Sequence, residues 1–437
     1  MNDCPRYSER GGEGEVGPVT RRRIAVVGSG VAGLTAAYVM QRDADVTLYE
    51  AADRLGGHAD THDVIGIDGV LRNIDTGFIV HNLRTYPLLR RLFTELGVST
   101  QESDMSMSIT CGGCGIEYAG GRGISGVLPS VKVLGKGRYL RMLGEVVKFH
   151  RRAHAVLESA DDGMTVREFL AAGRFSPYFI SHFMTPVIAA VWSTAPTQAG
   201  DYPARYLFSF LDNHGMLAVT GSPTWYTVTG GSARYVERAA KSLTAVQTST
   251  PIRAISRTGD GIDIRDGADR VEHFDAVTVA THPHQALRML AEPTATETEL
   301  LGAIDYTINP TILHTDVSLL PKAAKAEASW NYALPSCDAV PTAVEVSYNM
   351  NRLQRLDAPQ TYIVTLNGSD RIDPSTVLDT MNYEHPVYTT ASVAARERLP
   401  ELNDGTVAFA GAYHGWGFHE DGCRSGVHAA ESLGVTW

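Results

Sequence analysis

The order of apolar and polar positions is sharpest near the start of the chain. Residues 24–27 form an apolar run that predicts a buried strand, and it leads into Gly28-Ser29-Gly30-Val31-Ala32-Gly33. A helix-compatible segment, 34–41, follows. A second apolar run, 46–49, predicts another strand and ends at Glu50, 22 residues after Gly28. Strand, glycine turn, helix, strand and acid in register form a dinucleotide-binding unit. Gly28 permits the tight turn, Gly30 lets a pyrophosphate approach the backbone, and Gly33 lets helix and strand pack closely. The N–H groups of the first helical turn, Val31 and Ala32 among them, face the phosphates. Glu50 is placed to accept hydrogen bonds from an adenosine ribose, which favours an unphosphorylated one.

Downstream the periodicity loosens. Hairpin-like pieces are expected near 61–80 and 105–120, and helical stretches near 84–96, 138–158 and 177–192. Gly230-Gly231-Ser232 precedes an amphipathic helix at 233–243. Alternating strands follow at 262–264 and 276–280. The last forty residues return to a strand (406–410), a Gly-rich turn (411–422) and a helix (425–433). The expected architecture is α/β. A discontinuous nucleotide domain (23–80, 221–300, 396–437) is interrupted by a mixed α+β substrate domain (81–220, 301–395), behind a disordered leader at 1–22.

Composition narrows the setting. The chain has 437 residues, 43% hydrophobic and 20% charged, enough for a substantial core. A net charge of −11 argues against nucleic acid as a partner. Five cysteines are too few and scattered for a disulfide framework, which favours a reducing, cytoplasmic setting. No apolar stretch approaches the ~20 residues needed to span a bilayer.

Further glycine-rich elements extend the nucleotide reading. Arg54-Leu55-Gly56-Gly57-His58 lets a loop wrap over a diphosphate, with the guanidinium nearby. The 411–422 turn before the last helix offers another anion or carbonyl-oxygen site. A long dinucleotide held at both ends fits FAD better than a nicotinamide. Gly28, Gly30, Gly33, Glu50, Arg54, Gly56 and Gly57 match, position by position, the N-terminal signature of the FAD-dependent flavin amine oxidase / phytoene desaturase / protoporphyrinogen oxidase superfamily, which the chain resembles over nearly its whole length. The resemblance implies a glutathione-reductase-type FAD domain. It also implies a cofactor role for Ala51 and His58 beside those motifs. Asp75-Thr76-Gly77-Phe78, with Ile79, resembles the segment under the flavin ring. Thr229-Gly230-Gly231-Ser232 looks like the family's GG helix start, and Pro251-Ile252 like the backbone contact to adenine. Gly411 and His419-Glu420-Asp421-Gly422 resemble the C-terminal segment at ribityl and phosphate. Where many members carry Gly-Asp or Gly-Glu, this chain has Gly411-Ala412, so the resemblance leaves Glu420 as the alternative carboxylate.

A narrower resemblance links Asp75-Thr-Gly-Phe-Ile-Val-His-Asn82, Asn213-His214-Gly215, Trp225-Tyr-Thr-Val-Thr-Gly-Gly-Ser232, Ala280-Thr-His-Pro283 and Gly417-Phe-His-Glu-Asp-Gly422 to one branch. That branch comprises bacterial flavoproteins and the N-terminal oxidase-like region of plant cyclopropane fatty acid synthases. It implies an oxidoreductase moving hydride between a substrate carbon, in a lipid acyl chain, and flavin N5. An amine or porphyrinogen-type oxidase is one alternative; an FAD-binding accessory of an acyl-modifying methyltransferase is another. Superfamily amine oxidases use a lysine that holds water near N5. Here the later half offers only Lys241, Lys322 and Lys325, none in a cavity strand.

Other motifs read more plainly. Gly121-Arg-Gly-Ile-Ser-Gly126 repeats GxGxxG, but Pro129 follows at once and a turn is expected. Cys111-Gly-Gly-Cys114 has metal or redox spacing, yet lacks a second pair and reads as a hairpin tip, so no metal is expected. His81, His214, His282, His284, His385, His414 and His419 lie near the motifs. His214 and His385 are the acid–base candidates, with structural donation the plainer role for each. Trp192, Trp225 and Trp416 read as core or as an aromatic wall beside the flavin. Between Lys132 and Arg152 stand seven Lys/Arg and one Glu, with Met142, Val146, Phe149, Ala153 and Val156 on one helical stripe. That is a packed helix with a solvated basic face, or one that touches an anionic membrane.

Overall fold

Residues 24–27 are all buried, as expected of a central parallel strand covered on both faces. In the computed structural model, which describes residues 21–159, 163–218 and 221–437, this strand is β1 (Arg22–Val27). It pairs in parallel with β2 (Ala44–Tyr49) on one side and with Ala276–Val279 on the other. Ala245–Gln247 and Val407–Phe409 complete a five-stranded parallel sheet. Most of the leader, and Cys4 with it, lies outside the described residues. Arg22, assigned to that leader, instead opens β1.

Between β1 and β2 runs α1 (Val31–Met40), apolar all round and buried except at Tyr38. A helix that is apolar on every face needs cover on every face. The C-terminal helix, His419–Ser432, supplies much of it. Gly422 and Gly426 let the two backbones meet: a Cβ at Gly422 would lie 2.6 Å from Val31 Cγ1, and one at Gly426 would strike the Ala32 carbonyl. The C-terminal helix thus begins at His419, six residues before the expected start. The Asp421 carboxylate accepts the Phe418 N–H at 3.1 Å and stabilises that first turn.

A three-stranded antiparallel sheet (Ile252–Arg257, Ile262–Asp266, Val271–Phe274) flanks the parallel one. A separate seven-stranded mixed sheet runs in the order Val377–Pro386, Tyr306–His314, Ile363–Leu366, Val346–Asn349, Trp330–Leu334, Met107–Cys111, Ile116–Gly120. Helices Gly137–Glu158, Val166–Ala172, Thr185–Trp192 and Ala204–Asn213 pack beside it around Phe149, Phe169, Phe179 and Phe208. The basic helix buries Met142, Phe149 and Ala153, with Val146 and Val156 half-buried. The second GxGxxG does not form a bare turn: it runs into a short helix, Gly123–Val127.

Candidate functional site

Each glycine at the end of β1 meets a different constraint. Gly28 has φ +101°, and a Cβ there would lie 2.6 Å from the Ala280 carbonyl oxygen. A Cβ at Gly33 would strike the Gly28 carbonyl. At Gly30 nothing lies within 4 Å, so its open face is the approach to the first turn of α1, which has no side-chain cap. Uncapped N–H groups at a helix start beside open space fit a pyrophosphate.

Gly56 and Gly57 fold over this turn. Gly56 N–H donates to both the Ser29 carbonyl and Ser29 Oγ, each at 3.1 Å, and a Cβ on Gly57 would come within 3.2 Å of Gly30 Cα. Glu50 accepts from Ser29 N–H at 3.0 Å, from Ser29 Oγ at 2.6 Å and from Ala52 N–H at 2.9 Å. Its carboxylate is therefore fixed in direction while keeping lone pairs for ribose hydroxyls. The Glu50 carbonyl receives Thr250 N–H at 2.8 Å, which brings Ile252 to the same end; Ala51 beside it is exposed. Arg54 donates to the Gly57 carbonyl and pairs with buried Asp60 at 2.9 Å.

Toward the far end, Phe78 N–H donates to the His58 carbonyl at 2.6 Å, and a Cβ on Gly77 would strike that same carbonyl. Thr76 Oγ1 lies 2.7 Å from Tyr383 Oη, which donates to Asp60 at 2.8 Å. Phe78 stacks on His419 at 3.7 Å, and Ile79 is buried in the core shared by the seven-stranded sheet and its helices. His385 and Tyr383 alternate on one face of their strand and both meet the His58 ring, at 5.4 and 5.0 Å. Asn309 Nδ2 donates to His385 Nδ1 at 2.9 Å, which leaves the ring proton on Nε2. His282 donates from Nδ1 to Glu384 at 2.7 Å. Burial, helped by neighbouring rings, pushes His58 down to about 4 and His385 to about 3. Both are neutral imidazoles at pH 7.

His214 stands apart from this group. It joins an aromatic cluster with Phe210, Trp225, Trp416 and Phe418, and its Nδ1 hydrogen-bonds the Phe210 carbonyl at 2.9 Å. Trp192 and Tyr206 fasten the 415–416 backbone to this wall. Glu420 is turned away from the glycine loops: its carboxylate accepts Leu88 and Leu89 N–H at 3.1 and 3.0 Å, at the start of α2 (Pro87–Glu95). Asp421 holds the Trp416 and Phe418 amides, and burial raises it to about 6. On the stretch that opens at Gly411, the Tyr413 Oη, His414 Nε2 and Trp416 Nε1 atoms are buried without a protein partner. Three such orphans on one glycine-rich stretch fit a bound polar ligand or water there. Sequence reasoning missed the Asp60–Tyr383–Thr76 chain and the approach of His282 to His58; the Ala280-Thr-His-Pro283 string held the one visible signal.

An uncapped α1, an oriented acid and two folded glycine loops define a flavin-nucleotide protein. The profile described as flavin containing amine oxidoreductase matches residues 31–329, and the chain belongs to that family. It is an FAD-dependent oxidoreductase. A redesigned putrescine oxidase variant superposes with a TM-score of 0.67 at 14% identity, over 95% of this chain and 99% of that one. Cyclohexylamine oxidase from Brevibacterium oxydans IH-35A gives 0.65 at 18%, over 94% and 98%. A CLA-producing fatty acid isomerase from P. acnes gives 0.63 at 17%, over 93% and 97%. Coproporphyrinogen III oxidase of Mycobacterium tuberculosis (strain ATCC 25618 / H37Rv) is 39% identical over 88 residues, 19% of this chain and 18% of that enzyme.

Proposed function

We propose that the substrate is an unsaturated or modified fatty acyl chain, oxidised or rearranged at a carbon beside the flavin. FAD, when bound, supplies a hydride acceptor. The chain's own residues hold and shield it. The α1 amides and Gly30 would take the pyrophosphate, Glu50 would hold the ribose, and Phe78 with His419 would stand at the ring end. The glutathione-reductase-type assignment of this domain, the partition at residues 81, 220, 300 and 395, and the cytoplasmic setting belong to the same reading.

One observation carries the substrate class. The cluster around Trp192, Phe210, Trp416 and Phe418 is aromatic, the nearby imidazoles are neutral, and none of the chain's six lysines is buried. An aromatic wall that carries no lysine suits an acyl chain. It offers no lysine to hold the water on which the superfamily's amine oxidases depend. A fatty acid isomerase of similar fold supports the same choice. The test is anaerobic mixing with unsaturated fatty acids and with phospholipids bearing them, followed by flavin absorbance and product analysis. Flavin bleaching or an altered acyl chain supports the reading; neither, with every chain tried, removes it. The match to a coproporphyrinogen oxidase favours a second reading, a porphyrinogen-type oxidase, which predicts bleaching by a reduced tetrapyrrole instead. Stable co-purification with an acyl-modifying methyltransferase, without turnover alone, would favour the accessory role.

A further inference from the structure

The hairpin tip at Cys111-Gly-Gly-Cys114 does not stand alone. The strand Trp330–Leu334 runs parallel to Met107–Cys111, with Leu334 opposite Cys111, and the chain then turns back over the tip to bring in Cys337. The two glycines make that approach feasible. A Cβ on Gly112 would lie 2.7 Å from the Pro335 carbonyl, and one on Gly113 2.9 Å from the Cys337 nitrogen. From the other side comes His182, within a π-helical segment, Ile180–Met184, of the kind that often re-aims a functional side chain. One ligand atom from each of Cys111, Cys114, His182 and Cys337 lies within 4.8 Å of all the others.

We propose that these four residues form a structural zinc site. Three thiolates and an imidazole are a closed tetrahedral donor set, with no position left for substrate. Zinc–sulfur bonds of about 2.3 Å and a zinc–nitrogen bond of about 2.0 Å, at tetrahedral angles, require S···S edges near 3.8 Å and S···N edges near 3.5 Å. The Cys111–Cys337 sulfurs stand 3.8 Å apart, and Cys114 Sγ lies 3.7 Å from His182 Nε2. A disulfide fits less well: its bond is about 2.0 Å long, and pairing two sulfurs would strand the third. The surrounding groups suit a metal ligand set. His182 Nδ1 is hydrogen-bonded to Ser181 Oγ at 2.8 Å, which turns Nε2 toward the sulfurs. Tyr178 Oη lies 3.5 Å from Cys114 Sγ, and its ring stacks on His182 at 3.8 Å. The site ties the edge hairpin of the seven-stranded sheet, the 335–337 loop and the helical layer at one point. It does not depend on the acyl-chain reading.

The test is the metal content of the untagged full-length protein, purified without chelator, with flavin content measured on the same samples. About one zinc per chain is expected. Cys114→Ser, Cys337→Ser and His182→Gln should each abolish it, while Ser181→Ala, acting through the imidazole, should weaken zinc roughly 10–100-fold. Should those variants fail to fold, cobalt replacement in the native chain decides. Tetrahedral thiolate–cobalt absorbs in the red, where oxidised flavin does not. A native protein that takes up neither zinc nor cobalt, or that carries a Cys111–Cys337 disulfide, overturns the assignment.

Discussion

Gly30 and Gly33 should fail differently when given a side chain. Gly30 faces open space, so Gly30→Val should fold and yet fill the volume a pyrophosphate needs. Its expected signature is a near-native far-UV circular dichroism spectrum with no flavin absorbance; a yellow protein would refute the phosphate-loop assignment. Gly33→Ala puts a methyl into the Gly28 carbonyl and should cost about 1–3 kcal/mol or more, read as a lowered melting temperature even without cofactor. These roles were legible in the sequence because they belong to the backbone of one short segment. The meeting of His58, Tyr383 and His385 was not, because it depends on which strand of a distant sheet edges onto the nucleotide fold. By sequence, Cys111 and Cys114 read as a hairpin tip. The strands on either side do form that hairpin, but the residues that complete the cluster come from elements with no motif of their own.

At the level of elements, Asp75 joins three pieces. Its carboxylate accepts from Ser232 N–H and Oγ, both at 2.8 Å, from Thr61 Oγ1 at 2.6 Å and from Gln354 Nε2 at 3.0 Å. It thereby fixes the start of helix Ala233–Ala240 against the hairpin Thr61–Ile65/Leu71–Asp75. Asp75→Asn points a donor at donors and should cost about 2 kcal/mol, measurable by urea unfolding. An unchanged midpoint would dismiss this bridging role. The Gly230-Gly231-Ser232 string announced the helix but not its acidic partner, since a carboxylate buried among donors has no sequence period. The late start expected for the last helix has a similar origin. Gly422 looks like a turn residue, and only its packing on α1, with that of Gly426, shows that it serves close helix contact.

Across the whole molecule, burial leaves a pH signature. His58, His81, His214 and His314 are pushed down to about 4, and His385 and His414 to about 3, from an ordinary 6.5. The unfolded chain binds protons at these sites that the folded chain refuses, so their contribution is present above about 6.5 and lost as pH falls toward 4. Asp75 and Asp421, raised to about 6, act in the opposite sense and lose their contribution as pH rises through 6. His150, His284 and His419 are lowered by burial too, while Glu345 and Glu420 are raised, and the lowered imidazoles outnumber the raised carboxyls. The melting temperature of the apoprotein should therefore fall between pH 6.5 and 4; a rise would contradict the burial of these rings.

Among the described residues, no helix is long and apolar enough to cross a membrane. The 124–141 segment nonetheless exposes Ile124, Val131 and Leu134 near Lys132, Arg138 and Arg141. We propose peripheral contact with anionic lipid there. Co-sedimentation with vesicles containing anionic phospholipid should weaken in high salt and in a double variant, Arg138→Glu with Arg141→Glu. Binding unaffected by both would exclude this surface.

The partnership of α1 with the C-terminal helix also bears on how the protein is made. A ribosome adding about 5–20 residues per second delivers the glycine turn long before its covering helix. Until Gly422 and Gly426 emerge, one side of α1 stays bare and the cradle cannot close. FAD should therefore be captured only after residues 419–432 have emerged, and nascent chains stalled before residue 419 should bind none.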